Sequence, residues 1–288
     1  MTAARPTVGW IGLGAIGSPM ARRVLAAGFP LVAWARRADA AYALAADGAV
    51  VAPSPEALAA RADVLATIVG GPDDVRALHR RLIPAARAGT LLVDMTTSAP
   101  DCAGETAALA HGCGCLAIDA PVTGGVGGAE RGTLTAFVGG EPAAIERGRP
   151  VLEAFCARIV RCGGAGAGYR MKLVNQTIVA GTLLGLAGGA ALARAYGFAS
   201  ASVKDALGTG TASGFLFDSY VARMMEAGGP TTFTLGLLRK DLALARDEAA
   251  RCGSPTAFVD LALGAVDAAR REHGDGAGVQ VLGSPDPG

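Results

Sequence analysis

Residues 8–28 read VGWIGLGAIGSPMARRVLAAG, and this stretch decides the fold class. Its opening apolar run predicts a strand, and the helical period of its second half predicts a helix. Between the two, Gly12 permits a tight turn, Gly14 lets the backbone approach a pyrophosphate, and Gly17 lets helix and strand pack closely. The order of strand, glycine turn and helix therefore predicts a dinucleotide-binding α/β domain.

The glycine turn also suits an anion for an electrostatic reason. The start of the helix offers N–H groups and the positive end of a dipole, and both attract a phosphate. The alternative is a turn in a sheet that binds nothing, but the complete strand, turn and helix context favours binding. We predict that the pyrophosphate lies against Gly12, Leu13, Gly14, Ala15, Ile16 and Gly17.

The end of the second predicted strand indicates which nicotinamide cofactor binds. An acidic residue roughly 20 residues beyond the glycines would accept hydrogen bonds from the ribose hydroxyls and favour NAD. The segment Trp34-Ala-Arg36-Arg37 instead places two guanidinium groups where a ribose phosphate would lie, and their planar forks suit phosphate. We predict NADP, with NAD as the other option; alternatively, both arginines are solvated surface charges.

The chain of 288 residues is long enough for two domains of about 150 residues each. Up to about Val160, short apolar runs alternate with segments of helical period, which is typical of βαβ units. Beyond the break CGGAGAG, which begins at Cys162, only helices are predicted, and the tail after Leu282 is expected to fray. We predict a Rossmann-type, doubly wound NADP-binding domain over 1–164 and an all-helical substrate and dimerisation domain over 165–288.

Charge and composition exclude several classes of protein. With 26 basic and 25 acidic side chains, the chain lacks the electrostatic footprint of a protein that binds nucleic acid or acidic membranes. The uncharged run from Leu173 to Ala193 is about long enough to span a bilayer. Its polar start, at Asn175 and Gln176, and its glycines favour a helix buried on most sides. No secretory signal is recognised, so the cytoplasm is expected.

Neither a metal site nor a nucleophile system is predicted. The six cysteines include no CxxC pair and are interpreted as free thiols. The cluster His111, Cys113 and Cys115 has a spacing that fits tetrahedral zinc poorly. The three histidines lie in no chemically promising neighbourhood, which argues against Ser–His or Cys–His catalysis.

Two further segments carry chemistry. In DAPVTGG, which begins at Asp119, Gly124 and Gly125 follow a strand and offer backbone donors for a carboxylate, although an ordinary loop explains them too. In GAGYRMKLVNQ, which begins at Gly166, the side chains at 172, 175 and 176 share one helical face. A lysine early in an apolar helix has a pKa that burial would lower, which would fit it for proton transfer; a surface lysine is the alternative. The three side chains of that face are Lys172, Asn175 and Gln176.

Taken together, these segments resemble the β-hydroxyacid dehydrogenase family, which includes 3-hydroxyisobutyrate dehydrogenase and tartronate semialdehyde reductase. Four motifs match in order: GLGAIGSPMA at Gly12, DMTTSAP at Asp94, DAPVTGG at Asp119 and GAGYRMKLVNQ at Gly166. A fifth match is Lys240-Asp241-Leu242. The resemblance spans nearly the whole chain.

The resemblance implies a Rossmann-type domain joined to an all-helical domain by a long interdomain helix, with the active site in the cleft. It implies hydride transfer between NADP and a small hydroxyacid or aldehyde, with Lys172 as the catalytic acid and base and no metal. By position, Thr123, Gly124 and Gly125 would hold the substrate carboxylate, Thr97 would lie near cofactor and substrate, and Lys240 would reach the nicotinamide. A homo-oligomer, a dimer or tetramer, is also implied.

The sequence departs from the family motifs at Gln176 and Thr123, and two other functions are possible on the same fold. Gln176 stands where several members have a second asparagine that orients the substrate hydroxyl. Thr123 replaces the motif serine, and its additional methyl group narrows the pocket. An imine reductase would share the fold, but such enzymes commonly replace the catalytic lysine, so Lys172 argues against that function. A protein that binds NADP without turning it over is the alternative from another class.

Overall fold

A computed structural model describes residues 5–226 and 228–283 of the chain. Two units are distinguished, Met1–Lys172 and Leu173–Gly288. We predicted a boundary after residue 164, at the glycine-rich break. The units divide eight residues later because the helix Ala167–Ala195 begins with a turn that packs on the first unit. Residues 284–288, part of the tail expected to fray, lie outside the described residues.

The first unit contains one mixed sheet, and its strands in the described residues follow the order β3-β2-β1-β4-β5-β6-β8-β7, with β9 paired to β8. Strands β1 to β6 run parallel, β8 is antiparallel to both β6 and β7, and β9 is parallel to β8. The strands are β1 (Val8–Ile11), β2 (Leu31–Trp34), β3 (Val50–Val51), β4 (Val64–Thr67), β5 (Leu91–Asp94), β6 (Leu116–Asp119), β7 (Val122–Thr123), β8 (Leu134–Gly140) and β9 (Cys156–Gly163).

Helices cover the sheet because its strands are apolar on both sides. Along β1, Val8 and Trp10 point into one hydrophobic cluster and Ile11 into another, as the alternation of a strand requires. Strand β5 divides its side chains in the same way, which makes the apolar strands a central layer. The helices of this unit are α1 (Gly17–Ala26), α2 (Ala38–Ala45), α3 (Pro55–Ala59), α4 (Pro72–Ala85), α5 (Pro100–Gly112), α6 (Gly125–Arg131) and α7 (Pro142–Leu152).

The second unit is helical, as predicted. Its described elements are the later part of α8 (Ala167–Ala195), α9 (Ser200–Leu207), α10 (Phe215–Glu226), α11 (Leu235–Arg251), α12 (Ala257–His273) and a short 3-10 helix (Val279–Gly283). Their apolar faces form one core, to which α8 contributes a narrow stripe that includes Ala180, Leu183 and Ala187. The predicted fold class, a Rossmann-type domain followed by an all-helical domain, is therefore confirmed.

The structure corrects two expectations. Strand β9 was not predicted, and it runs into the glycine-rich break that begins at Cys162. Within the described residues it pairs with β8 alone, and Arg158 and Arg161 interrupt its apolar pattern. Helix α8 was expected to be buried on most sides, but only 28% of its most apolar stretch is buried. Apolar residues occur on several sides of the helix, so the sequence pattern does not show which stripe packs. The helix is long and apolar enough to cross a membrane, a test that core helices of soluble proteins also pass.

Candidate active site

The glycine turn between β1 and α1 shows which glycines the polypeptide itself requires. Gly12 has φ +109°, and a Cβ there would lie 1.9 Å from the carbonyl oxygen of Ile68. A Cβ on Gly17 would lie 2.0 Å from the carbonyl oxygen of Gly12. Gly14 is different, because no atom of the described chain lies within 4 Å of the position of its Cβ. The open space above Gly14 fits the close approach of a pyrophosphate.

This contrast predicts different results for two alanine substitutions in one turn. Gly14→Ala is expected to fold as the wild type does but to bind NADPH about tenfold more weakly, since a methyl group would displace the pyrophosphate from its backbone donors. Gly17→Ala, the matched control, is expected to lower the free energy of unfolding by about 1–3 kcal/mol through overpacking. Urea unfolding and NADPH fluorescence titration measure the two effects. Unchanged NADPH affinity in Gly14→Ala would count against the predicted turn.

An open depression of about 560 Å³ lies beside Gly14. Cations dominate its charged lining, so it suits an anionic group next to the glycine turn. Arg36 and Arg37 are both exposed. Arg37, the residue before α2, is on the wall of the depression, whereas Arg36 forms an ion pair of 3.7 Å with Asp74. The charged residues of the lining are Arg22, Arg23, Arg37 and Glu130.

Two buried aspartates end neighbouring strands of the sheet. Asp94 ends β5 and Asp119 ends β6, and the two residues are register partners. Asp119 accepts hydrogen bonds of 2.8 Å from the backbone N–H groups of Gly166 and Tyr169. Burial raises the pKa of Asp119, and these two N–H donors oppose the rise. Asp94 accepts a hydrogen bond of 2.8 Å from the hydroxyl of Tyr169.

His79 lies next to Asp94 in the interior of the first unit. This corrects the expectation that none of the histidines is close to other reactive side chains. Its Nδ1 lies 3.0 Å from the hydroxyl of Thr106, and its Nε2 lies 3.2 Å from that of Thr67 and 3.6 Å from Asp94. Burial lowers the pKa of His79, and Asp94 acts against this shift. The ring is 2% exposed, so the His79 side chain is closed to solvent.

The lowered pKa of His79 makes stability depend on pH. The unfolded chain binds a proton on this residue below its ordinary pKa of about 6.5, while the folded chain resists protonation. The stabilisation is therefore complete above about pH 6.5 and decreases as the pH falls, by at most about 1.4 kcal/mol per pH unit. Urea unfolding at pH 7.5 and 5.5 measures it, and His79→Gln is expected to flatten the dependence. An equal slope in both proteins would contradict this assignment.

The predicted substrate loop follows β6 directly. Thr123 ends β7 opposite Thr135, and the glycines after it have positive φ angles, +126° for Gly124 and +66° for Gly125. Gly125 begins α6, so the segment has more regular structure than an ordinary loop. As at Gly14, a Cβ on Gly125 would have no atom of the described chain within 4 Å apart from those of its chain neighbours. Thr97 is half-buried in the loop after β5.

Lys172 lies in the first unit, three residues after Tyr169 on the opening turns of α8. Its side chain is only 8% exposed. The surface-lysine alternative is therefore wrong. Tyr169 and Lys172 share a side of the helix because residues three apart are neighbours on a helical surface.

In the second unit, a chain of polar contacts joins α8 to α11. The amide nitrogen of Asn175 donates to Gln176 Oε1 at 2.8 Å, and Gln176 Nε2 donates to Asp241 Oδ2 at 2.6 Å. The other oxygen of Asp241 lies 2.9 Å from Lys240 Nζ. Gln176 is therefore held by protein partners at both ends of its amide. The four residues Asn175, Gln176, Lys240 and Asp241 form one network.

Sequence reasoning did not single out several of these residues as functional: Asp94, Asp119, Tyr169, His79 and Asp241. One signal was available, since the strands LLVD and LAID both end in an aspartate, and carboxyl ends of parallel strands meet at one edge of a sheet. The partners Gly166, Tyr169 and Gln176 lie 47 or more residues away from these aspartates in the sequence, so no local pattern indicated the pairing. Within residues 5–226 and 228–283, no three His, Cys, Asp or Glu side chains are grouped as metal ligands.

Comparison with known protein families decides the relationship. Residues 7–164 match the family described as the NAD binding domain of 6-phosphogluconate dehydrogenase, and residues 166–282 match the NAD-binding family of NADP-dependent 3-hydroxyisobutyrate dehydrogenase. The chain belongs to the β-hydroxyacid dehydrogenase family. It is an NAD(P)-dependent dehydrogenase or reductase that acts on CH–OH groups, and its first unit is an NAD(P)-binding domain.

Individual relatives of this β-hydroxyacid dehydrogenase are similar over nearly their full length. The probable mitochondrial 3-hydroxyisobutyrate dehydrogenase-like protein 1 of Arabidopsis thaliana is 36% identical, with 98% of this chain and 85% of the relative covered. The 3-hydroxyisobutyrate dehydrogenase of Mycobacterium tuberculosis, solved with L-serine, is 30% identical, with 96% and 98% covered and a TM-score of 0.86. Psf3, solved with NADP+ and 2-OPP, is 31% identical, with 96% and 99% covered and a TM-score of 0.90.

Similarity to imine reductases shows a common fold. The imine reductase of Streptomyces aurantiacus is 24% identical, with 96% of this chain and 98% of the relative covered and a TM-score of 0.64. Similarity at this level establishes architecture and not chemistry, because one fold hosts many activities.

Proposed function

We propose that this enzyme transfers hydride between NADP and a small 3-hydroxyacid or its semialdehyde, of the 3-hydroxyisobutyrate or tartronate semialdehyde type, with Lys172 as general acid and base. The observation that carries the proposal is the burial of Lys172 beside the anchored start of α8. The sequence contains only three lysines among its 26 basic residues. An amine can give up its proton near neutral pH when buried, whereas a guanidinium group cannot.

The substrate receives both a hydride and a proton during reduction, and it loses both during oxidation. NADPH supplies the hydride when it is bound. During reduction the Lys172 ammonium donates a proton to the carbonyl oxygen, and the product is the alcohol with a neutral amine on the lysine. During oxidation the neutral amine of Lys172 takes the proton of the alcohol as hydride leaves the carbon. Solvent then restores the lysine.

The cofactor would be held mainly by residues of the first unit. The residues Gly12 to Gly17 would cradle the pyrophosphate, with Gly14 at closest approach. Arg37 beside the depression and Arg36 beyond it would bind the ribose phosphate, which favours NADP over NAD. The family resemblance assigns Thr97 and Lys240 to the nicotinamide end.

The substrate would be recognised through its carboxylate and its hydroxyl. Thr123, Gly124 and Gly125 would bind the carboxylate, and the open position of Gly125 leaves room for it. By its position Gln176 would orient the reacting hydroxyl, and the Asn175 amide, which donates to Gln176 Oε1, would support it. L-serine, with which the Mycobacterium tuberculosis relative was solved, is a small hydroxyacid of the proposed class.

A substrate panel tests the proposal. The purified protein is given NADP+ or NAD+ with 3-hydroxyisobutyrate, L-serine or glycerate, and NADPH with tartronate semialdehyde or 1-pyrroline, while absorbance of the reduced cofactor is followed. Turnover of a hydroxyacid or semialdehyde with NADP(H) preferred is the expected result. Faster turnover of 1-pyrroline would favour the imine reductase function instead. NADPH binding without turnover of any of these compounds would contradict the proposed substrate class.

We also propose a homodimer or tetramer that forms through α8 and works in the cytoplasm. Within the second unit, α8 exposes Val174 and Ile178, which are 55% and 65% exposed, and α12 exposes Leu261. An apolar helix with one packed stripe has a further face to bury, and a second copy of the chain would cover it. Light scattering that gives a monomer mass at every concentration would contradict the oligomer.

A further inference from the structure

We infer that Tyr169, Asp94 and Asp119 are positioning residues that hold the Lys172 amine in place for proton transfer. This inference rests on the proposed function of Lys172 and adds the residues through which its position is set. All four residues belong to the first unit, so the inference depends on contacts within that unit.

Asp119 holds the first turn of α8. The first N–H groups of a helix have no partners within the helix and need an acceptor from elsewhere. Asp119, which lies at the end of β6 and 47 residues before Gly166, supplies both carboxylate oxygens, one to Gly166 N–H and one to Tyr169 N–H, each at 2.8 Å. Bonds from N–H groups to a carboxylate are among the stronger hydrogen bonds in proteins. The start of α8 is therefore tied to the sheet.

The backbone of α8 lies so close to the sheet that a glycine is required at the contact. A Cβ on Gly168 would lie 2.3 Å from the carbonyl oxygen of Phe137 in β8 and 2.8 Å from the carboxylate of Asp119. A Cβ on Gly139, on the facing side, would lie 2.6 Å from the same carboxylate. This contact leaves the first turn little freedom to slide along the strands.

The hydroxyl of Tyr169 provides a second, independent anchor. It donates to Asp94 Oδ2 at 2.8 Å, and the other oxygen of Asp94 accepts from the N–H of Thr96 at 2.9 Å. Burial and the neighbouring Asp94 raise the pKa of Tyr169 well above its ordinary value, so the hydroxyl remains a donor throughout the working pH range. The bond therefore persists whenever the enzyme works.

A purely structural role does not explain this arrangement well. Tyr169, Asp94 and Asp119 are each no more than 3% exposed, and burying carboxylates is costly compared with packing apolar side chains of similar volume. What the two carboxylates add is a fixed direction and distance for the helix that carries Lys172. Lys172 lies three residues beyond Tyr169, about 4.5 Å along the axis. A misplacement of about 1 Å in a reacting group can lower a rate roughly 100-fold.

The test compares Tyr169→Phe with Thr90→Val. Thr90 is buried just before β5, at the opposite end of the strand from Asp94, and its hydroxyl donates to the carbonyl oxygen of Ala62 at 3.3 Å. Both substitutions remove one buried hydroxyl. With NADP+ and 3-hydroxyisobutyrate, we expect kcat to fall about 10- to 100-fold in Tyr169→Phe, with the dissociation constant of NADPH within about twofold of wild type. Thr90→Val is expected to keep kcat within about twofold.

A second readout needs no turnover. Reductive methylation with ¹³C-formaldehyde labels the three lysines and the N-terminal amine, and NMR follows the pH midpoint of each dimethylamine. The Lys172 midpoint is expected to change in Tyr169→Phe and to stay in place in Thr90→Val, while the midpoint of Lys204 on the exposed α9 serves as the internal reference. Should Tyr169→Phe fail to fold, Asp119→Asn, which keeps one acceptor oxygen, takes its place with the same expected results.

Several outcomes would overturn the inference. A wild-type kcat together with an unmoved Lys172 midpoint in Tyr169→Phe would reduce the three residues to a structural role. Equal losses of kcat in Tyr169→Phe and Thr90→Val would show general damage instead of positioning. Failure of the proposed function is distinguishable, because it would appear as full activity in Lys172→Ala or as no turnover in the wild type, and the NMR midpoint still tests positioning in either case.

Discussion

Lys172→Ala is expected to lower kcat for hydroxyacid oxidation by about 10³-fold or more, within the range that one general acid or base contributes. The dissociation constant of NADPH should stay within about twofold, since the amine is proposed to act on the substrate oxygen and not on the pyrophosphate. The fold should also survive, because Asp119 and Tyr169 hold the start of α8 through their own hydrogen bonds. Steady-state kinetics and NADPH fluorescence titration measure the two quantities.

Two companion variants separate proton transfer from simple loss of charge. Lys172→Arg keeps a cation but gives up no proton near neutral pH, so it is expected to be nearly as inactive as alanine. Lys204→Ala removes an exposed lysine from α9 and is expected to retain wild-type kcat. Substantial activity in Lys172→Arg would show that the residue supplies charge alone.

The second large effect concerns the choice of cofactor. Replacing both Arg36 and Arg37 by alanine is expected to lower the ratio of kcat/KM for NADPH to that for NADH by about 100-fold or more. Each hydrogen bond to a charged group contributes about 1.5–3 kcal/mol, which corresponds to at least tenfold per arginine. The effect should appear mainly in KM for NADPH, because the ribose phosphate does not take part in the chemistry.

Single variants and a control sharpen this prediction. Arg37 lines the depression beside Gly14, whereas Arg36 forms an ion pair with Asp74, so Arg37→Ala alone should have the larger effect. Arg81→Ala removes an exposed arginine that pairs with Glu56 on α3 and should leave the cofactor ratio unchanged. An enzyme that prefers NADH before any substitution would refute the assignment of both arginines.

The features that could be predicted from the sequence depend on neighbours in the chain. The glycine turn needs only residues 8–28, and its three glycines showed the roles in packing and open space that their spacing predicts. The apolar strands and the amphipathic helices were found because burial on a face leaves a period in the sequence. Strand β9 was missed because it pairs along one edge only, so its exposed arginines resemble those of a loop.

The site contains parts that pattern analysis could not reach. The spacing of Lys172, Asn175 and Gln176 predicted one helical face. It did not predict that Gln176 donates a hydrogen bond to Asp241, which lies 65 residues later in the chain. The motif that contains Tyr169 indicated no partner for its hydroxyl. In the fold that hydroxyl donates a hydrogen bond to Asp94, 75 residues earlier in the chain. His79 gave no sign of its neighbours, since its partners come from β4 and α5.

The sequence by itself determined the class of fold, the position of the glycine turn and the identity of the cationic residues, because each is written in contiguous or periodic residues. Only the tertiary structure decided which aspartates accept hydrogen bonds from the start of α8 and that Lys172 is buried. It also decided that most of the apolar stretch of α8 remains exposed. The physical reason is that hydrogen bonding and desolvation depend on distances between chain segments. Those distances exist only once the strands have paired and the helix has packed on them.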